Sequence, residues 1–339
     1  MRIIRILLMV LGALQLTCYL LHAQNIDYLA KAKEFLYQGD CERAEYAYLD
    51  YKKLYPNSDA EVEWGIDDCK KNQRINRALE FNVNGTNFRL MPVQGGMFKM
   101  GGDNADNKPV HAVTVSGFWM GETEVTQGLW KAVMGITLRE QHNKCKPNSE
   151  IVGEGANYPM CYISYIEAEE FCRELNKLLA SQLPAGYRFS LPTEAEWEFA
   201  ARGGNKSHGY EYSGCNDVGE VAWYGNTYYC SKGHVHEGTG GNSNNQTHPV
   251  GKLKSNELGL YDMSGNLWEF CCDFYQENYY EIAPSHNPQC GIPDKQLNHI
   301  IRGGEFSLSD IYQKVDVRAR TAPDECGRNF GFRIVLVRR

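Results

Sequence analysis

The chain has 339 residues, with 35 Lys and Arg against 42 Asp and Glu, and its formal net charge of −7 disfavours a nucleic-acid or anionic-membrane surface as partner. Hydrophobic residues make up 42% and charged residues 23%, values that exclude wholesale disorder and a polytopic membrane protein. The 33 Gly, 21 Tyr and 6 Trp point to a loop-rich fold packed by aromatic side chains rather than to a helical bundle.

Arg2 and Arg5 form a positive n-region, and Ile6 to Leu14 is an apolar run too short to cross a bilayer. Leu21-His22-Ala23 then precedes Gln24, so residues 1–23 read as a signal peptide cleaved after Ala23. Acylation at Cys18 is the rival, but Gln15-Leu16-Thr17 lacks the small residue that lipoprotein processing wants. The expectation is export to the periplasm or cell surface, with no transmembrane segment after cleavage. One of the 12 Cys lies in this segment, which leaves an odd number and at least one unpaired thiol. Cys41 and Cys69 flank a predicted helical hairpin and are a candidate bridge, whereas the neighbours Cys271 and Cys272 have separate fates, because a bond between them would strain the backbone.

Residues 24–75 read as helical. Tyr28, Ala30, Ala32, Phe35 and Leu36 recur at helix spacing, Ala44 through Leu54 forms a second amphipathic stretch, and Pro56-Asn57-Ser58-Asp59 stops it and caps a third, Ala60 to Lys71. The run FLYQGDCERAEYAYLDYKKLYPNSDAEVEWGIDDC resembles a single tetratricopeptide-type unit, which cannot bury its own face and is expected to pack on the main domain or on a partner. A plain helical spacer is the alternative. Beyond Asn82 short strands are predicted at 88–93, 97–100 and 110–118. Helices follow at Thr126 to Met134, Tyr165 to Ala180 and Thr193 to Ala201, the last announced by a Thr193/Glu196 capping box. The Gly-, Asn- and Ser-rich tract from Tyr224 to Thr247 is expected on the surface.

Several phrases go beyond composition: MPVQGGMFKMG at 91–101, GFWMGETEVTQGLW at 117–130, ISYIEAEEFC at 163–172, RFSLPTEAEWEFAARGG at 188–204, HPVGKLKSNELGLYDMSGNLWEF at 248–270, IRGGEF at 301–306 and NFGFRIVL at 329–336. In these blocks and their order the chain resembles the sulfatase-modifying-factor family, the formylglycine-generating-enzyme domain, over 85–339. The resemblance implies an α+β, C-type-lectin-like fold, loop-rich and here preceded by the small α-helical hairpin. Much of it is intelligible as scaffold, since Gly203-Gly204 ends a helix and Trp197, Tyr261, Leu267 and Trp268 supply apolar surface.

The family's chemistry is where the sequence departs. The resemblance implies a Ser after the Arg-Gly-Gly turn and two later cysteines, whose thiolates bind copper(I) and activate oxygen to convert a sulfatase cysteine to formylglycine. Here the segment reads RGGEFSLSDIYQKVDVRARTAPDECGRNFGFR: Glu305 stands at the Ser position, Leu308 at the first Cys, and Tyr312 or Gln313 at the second. Cys326 matches neither position, so copper and the oxidase reaction are not expected. The family's iron-dependent sulfoxide-synthase branch draws ligands from a His-rich helical domain, and residues 25–72 contain no His. His234 and His236 read as solvated loop histidines.

The resemblance also implies a structural calcium site on DMSGNLWE, formed by Asp262, the carbonyls of Gly265 and Leu267, and Glu269; a capped turn with Glu269 in a buried salt bridge is the alternative. No GxSxG, HExxH or P-loop occurs. The reading is therefore a non-catalytic, exported binding or scaffold module. Its candidate contact surface is the former active-site groove at Glu305, Phe306, Ser307, Tyr312, Asp316 and Arg318, and its partner a protein or glycan of the cell envelope. Charge reversal at Glu305 and Arg318 is expected to weaken capture without unfolding the domain. The alternative is a formylglycine-generating oxidase with atypical ligands.

Overall fold

The computed structural model describes residues 28–35, 41–56, 60–72, 75–102, 105–229, 235–238 and 240–338. The expected signal peptide, Cys18, His234 and the side chain of Cys41 lie outside the described residues. The chain divides after Arg74 into a helical unit and a larger one that starts at Ile75. Among the described residues no helix is long and apolar enough to cross a membrane.

The helical unit contains α1 (28–35), α2 (Cys41–Leu54) and α3 (Ala60–Asn72). Its core is small and alternates small with large side chains: Ala32, Ala44, Ala47, Tyr48, Val62, Ile66 and Cys69. Gly65 lies against the Tyr48 ring so closely that a Cβ there would stand 2.5 Å from Cζ, which explains a helix-weakening Gly inside α3.

In the larger unit the first sheet runs β1 (Leu79–Val83), β2 (Thr86–Val93), β5 (Phe118–Gly121), β13 (Val335–Arg338) and β6 (Tyr187–Ser190). Strand β1 falls outside the sequence expectation and moves the domain start upstream of residue 85; it turns into β2 through Asn84 and Gly85, both at positive φ. The single strand expected at 110–118 is two, β4 (His111–Val115) and β5, because the Ser116 N–H leaves the ladder to bond Asn287 Oδ1 at 2.7 Å. Strand β4 pairs with β3 (Gly96–Met100). A second sheet is ordered β11 (Arg318–Thr321), β10 (His299–Arg302), β9 (Trp268–Phe274) and β12 (Phe330–Gly331).

Alternation along β13 divides the core. Leu336 joins a cluster with α4 (Gln127–Met134) and α6 (Tyr165–Leu179), while Val335 and Val337 join one with α7 (Glu194–Ala201). Thr126 and Thr193 cap their helices as expected, with the Thr193/Glu196 box complete, and Ser164 adds a cap and a box with Glu167 that the sequence reading did not name. A further helix, α5 (Leu138–Cys145), carries its own Thr137/Glu140 box. A disulfide joins Cys145 at its end to Cys326, with Cα atoms 6.0 Å apart.

Candidate functional site

The site is built on the turn that leaves β10. Gly303 and Gly304 adopt φ of 95° and 76°, and a Cβ on Gly304 would lie 2.1 Å from Gln313 Oε1, so only Gly lets the chain pass here. Gln313 is fully buried, and its Nε2 donates to the carbonyls of Glu305, Leu308 and Ser309 at 3.0–3.2 Å, pinning the 305–309 turn. Glu305 is buried, and its carboxylate accepts from the Ser307 N–H at 2.8 Å and Oγ at 2.5 Å. Burial pushes its pKa up, with the Ser307 hydrogen bonds opposing.

This turn borders a cleft of about 520 Å³, within the size range of small-ligand sites. Its other walls are Asp106 and Asn107, Trp268 from β9, Ile311 and Tyr312, Val317 and Arg318 at β11, Asn329, and Tyr229. Tyr229 ends β7 (Thr227–Tyr229), which pairs with β8 (Val235–Glu237) and docks on the site turn. The Gly225 and Thr227 N–H groups donate to the Leu308 and Ser307 carbonyls, and the Ser309 N–H returns one to Thr227. Tyr312 Oη accepts the Tyr229 N–H at 3.0 Å. The tract at 224–247 is thus not wholly on the surface: Ser243 and Thr247 are 1% and 2% exposed, with Ser243 Oγ donating to the Phe306 carbonyl.

Of the six expected contact residues, Glu305, Tyr312 and Arg318 line the cleft. Phe306 does not: it is 0% exposed in the core, with the Arg328 guanidinium 5.4 Å from its ring centroid. Ser307 braces Glu305 and faces a second cavity of about 490 Å³, beside Asn245 and Arg328. The Asp316 carboxylate instead accepts from Asn107 Nδ2 at 3.0 Å, and its carbonyl accepts from Arg302, so it is part of the scaffold. Arg318 is not a free cation. Its Nε and Nη2 donate to the two oxygens of Glu194 at 2.8 Å, and Nη1 donates to the Asp106 carbonyl. Charge reversal there would set a second carboxylate against buried Glu194 and leave it only the Arg302 guanidinium, 3.7 Å away, as counter-ion, so the domain is expected to lose stability.

The pair sits on a buried network that α7 organises. Its first turn supplies Glu194 and its second Glu198, which is held by Arg302, by Arg202 and by the Gly101 N–H at 2.9 Å. Burial pushes the Glu198 pKa up, but Arg302 and Arg202 outweigh it and the net direction is down.

At the family's thiolate positions, Leu308 and Tyr312 face the cleft, whereas Gln313 turns its amide into the backbone. No Cys or His is among the cleft-lining residues described. Cys326 is engaged with Cys145. Sequence reasoning missed Tyr229, Trp268, Asp106 and Ile311. Trp268 lies in a block that reads as packing, and Tyr229 in a tract that reads as solvated loop; only the docking of β7 brings it to the cleft.

The four expected calcium ligands are buried, three on the turn that leads into β9 and Glu269 on that strand. Asp262 accepts the Gly251 N–H at 2.7 Å, and burial pushes its pKa to about 6. Gly265, at φ 84°, packs on the Trp223 backbone, and the Leu267 N–H donates to Glu124. Glu269 is held on both oxygens by Arg333, at 2.6 and 2.7 Å, and takes a third bond from Trp197 Nε1. Three buried carboxylates, Glu124, Asp262 and Glu269, thus face one guanidinium, and burial followed by Asp262 and Glu269 drives the Glu124 pKa well up. The turn is thus rich in buried oxygen donors and short of positive charge, and Glu269 is already committed to Arg333. Among the described residues, no group of three or more His, Cys, Asp or Glu side chains is arranged to hold a metal ion.

Residues 79–338 match the sulfatase-modifying factor enzyme 1-like domain. A chaperone protein LppX of Paenibacillus barcinonensis is 34% identical over 235 residues, covering 57% of this chain and 76% of that protein. A formylglycine-generating enzyme of Streptomyces coelicolor is 28% identical over 290 residues, covering 70% of this chain and 86% of the enzyme. Among solved structures, Treponema denticola variable protein 1 aligns with a TM-score of 0.61 at 28% identity, over 78% of this chain and 100% of that one. Likeness in fold extends to PvdO from Pseudomonas aeruginosa, with a TM-score of 0.56 at 24% identity over 76% of this chain and 97% of that one. With a C-type-lectin-like fold and a family match that spans both sheets and the cleft, the chain belongs to the sulfatase-modifying factor enzyme 1-like domain family.

Proposed function

We propose that this protein is a non-catalytic recognition module, exported to the cell envelope, that captures a partner in the cleft beside Glu305. The observation that carries the reading is Leu308, with Tyr312 or Gln313, at the positions where the family's oxidase has its two thiolates. A branched aliphatic side chain with a phenol or an amide does not supply the soft sulfur ligands that copper(I) requires. What remains is a concave surface of aromatic, aliphatic and acidic groups on a rigid scaffold, which suits binding. The likeness to a chaperone favours a protein over a glycan as partner. Export is supported by the leader-like pattern of residues 1–23 and by the Cys145–Cys326 disulfide, which belongs to an oxidising compartment.

Anaerobic copper(I) titration of the purified chain, with mass spectrometry of a sulfatase-motif peptide, tests the reading. The expected result is no stoichiometric copper and an unconverted peptide cysteine. Conversion to formylglycine would make the protein an oxidase with other ligands.

The turn at 262–269 supports a structural calcium ion held by Asp262 and the carbonyls of Gly265 and Leu267. The ion would supply positive charge to buried carboxylates and brace the turn that carries Trp268 into the cleft.

A further inference from the structure

Taking the cleft as a recognition site, we infer that it accepts a cationic nitrogen group, the ammonium or guanidinium of a basic side chain on a bound peptide. The rings of Tyr229, Tyr312 and Trp268 form part of the wall. Tyr229 and Tyr312 stand edge to face, with centroids 6.3 Å apart and planes at 83°, and the Tyr229 N–H bond to Tyr312 Oη holds the pair. Aromatic faces attract cations, and do so more strongly where water is excluded.

Two carboxylates complete the lining. Asp106 is exposed at one side, and Glu305 is 3% exposed, its bonds from Ser307 carrying no positive charge. Among the described residues Arg318 is the one cation on the wall, and both oxygens of Glu194 accept from it. Arg328 lies in the adjoining cavity, over the ring of Phe306. An anionic group entering the cleft would meet two acids on its wall, with Arg328 acting on Glu305 only from the adjoining cavity, while a cation would meet both acids and π faces. Leu308, Ile311 and Val317 supply an apolar strip on which the methylene stem of Lys or Arg can lie. The volume, about 520 Å³, holds such a side chain with flanking backbone. Ile311 and Tyr229, 49% and 52% exposed, leave apolar surface at the mouth for neighbouring peptide residues.

The test is binding of blocked tripeptides with central lysine, arginine, norleucine or glutamate to the full chain, followed by ligand-observed NMR. The lysine or arginine peptide should bind at least about tenfold more tightly than norleucine, glutamate should not compete, and affinity should fall as salt rises. Asp106→Asn and Tyr229→Ala, both at exposed positions, should each weaken the lysine peptide by about fivefold or more. Glu305→Gln should do the same at an unchanged melting midpoint, because an amide oxygen can still accept from Ser307. Norleucine binding as tightly as lysine, or an unchanged Kd in both Asp106→Asn and Tyr229→Ala, overturns the cation assignment while the recognition reading stands. Absence of peptide binding at millimolar concentration also overturns the assignment. Conversion of a peptide cysteine in the copper experiment instead overturns the recognition reading itself.

Discussion

Arg318 and Glu194 show how a residue can border a cleft and still belong to the core. The Arg318 side chain is 1% exposed, and its guanidinium also lies over the rings of Tyr280 and Tyr275, at 4.6 and 5.3 Å. Removing one member of such a pair strands a buried charge, which costs about 3–5 kcal/mol. Arg318→Glu should therefore lower the urea midpoint strongly, and Arg318→Met with Glu194→Gln should recover much of the loss; equal stability of Arg318→Glu and the parent chain would place the pair in solvent. At the 262–269 turn, the surplus of buried acid predicts metal dependence. Millimolar calcium should raise the melting midpoint relative to chelator, and Asp262→Ala should abolish the increment. A midpoint indifferent to calcium would reject the site.

At the scale of elements, the hairpin of β7 and β8 is positioned by glycines rather than by a hydrophobic face. A Cβ on Gly225 would stand 2.2 Å from the Ser307 carbonyl oxygen, and one on Gly241 would stand 2.9 Å from the Gly225 carbonyl carbon. Gly225→Ala must lift the hairpin off the site turn and carry Tyr229 out of the cleft. Limited proteolysis should then cut between 225 and 240 several-fold faster than in the parent, because backbone bonds that protect the segment are lost. Gly291→Ala is the control, since nothing lies within 4 Å of the added methyl. Equal cleavage of both variants would mean that the hairpin is held by other contacts. Helix α7 works in the opposite way: its Thr193 cap and capping box fix the first turn, and that turn delivers Glu194 to Arg318.

Over the whole molecule, the Cys145–Cys326 disulfide ties the end of α5 to the loop that carries Arg328 and Asn329 to the two cavities. It spans 181 residues, so it constrains the unfolded chain over a long loop, and bridges of this kind contribute about 2–4 kcal/mol. Reduction should lower the urea midpoint of the parent chain, and Cys145→Ser with Cys326→Ser should show the lower midpoint with no further response to reductant. A continued response in the double variant would assign the effect to another pair. The remaining chemistry of the larger unit is distributed likewise: the cleft opens where β11, the site turn and the docked hairpin converge.

What the sequence alone determined is what neighbouring residues decide. The caps at Thr126 and Thr193 were legible because cap and partner lie three residues apart, as they also do in the Ser164/Glu167 box that was passed over, and the family blocks and missing thiolates were legible because they are contiguous. Two other local signals were present and passed over: Asn84-Gly85 is a strong hairpin turn, and Thr137 with Glu140 is a capping box. Only the tertiary structure could decide which groove residues face solvent. Phe306 and Tyr312 both look like contact residues in sequence, but one fills the core and the other the cleft. Arg318 finds its counter-ion 124 residues away, and Tyr229 reaches the cleft through pairing with residues about 80 positions on. Burial, ion pairing and long-range docking depend on which surfaces meet, and no local pattern encodes that.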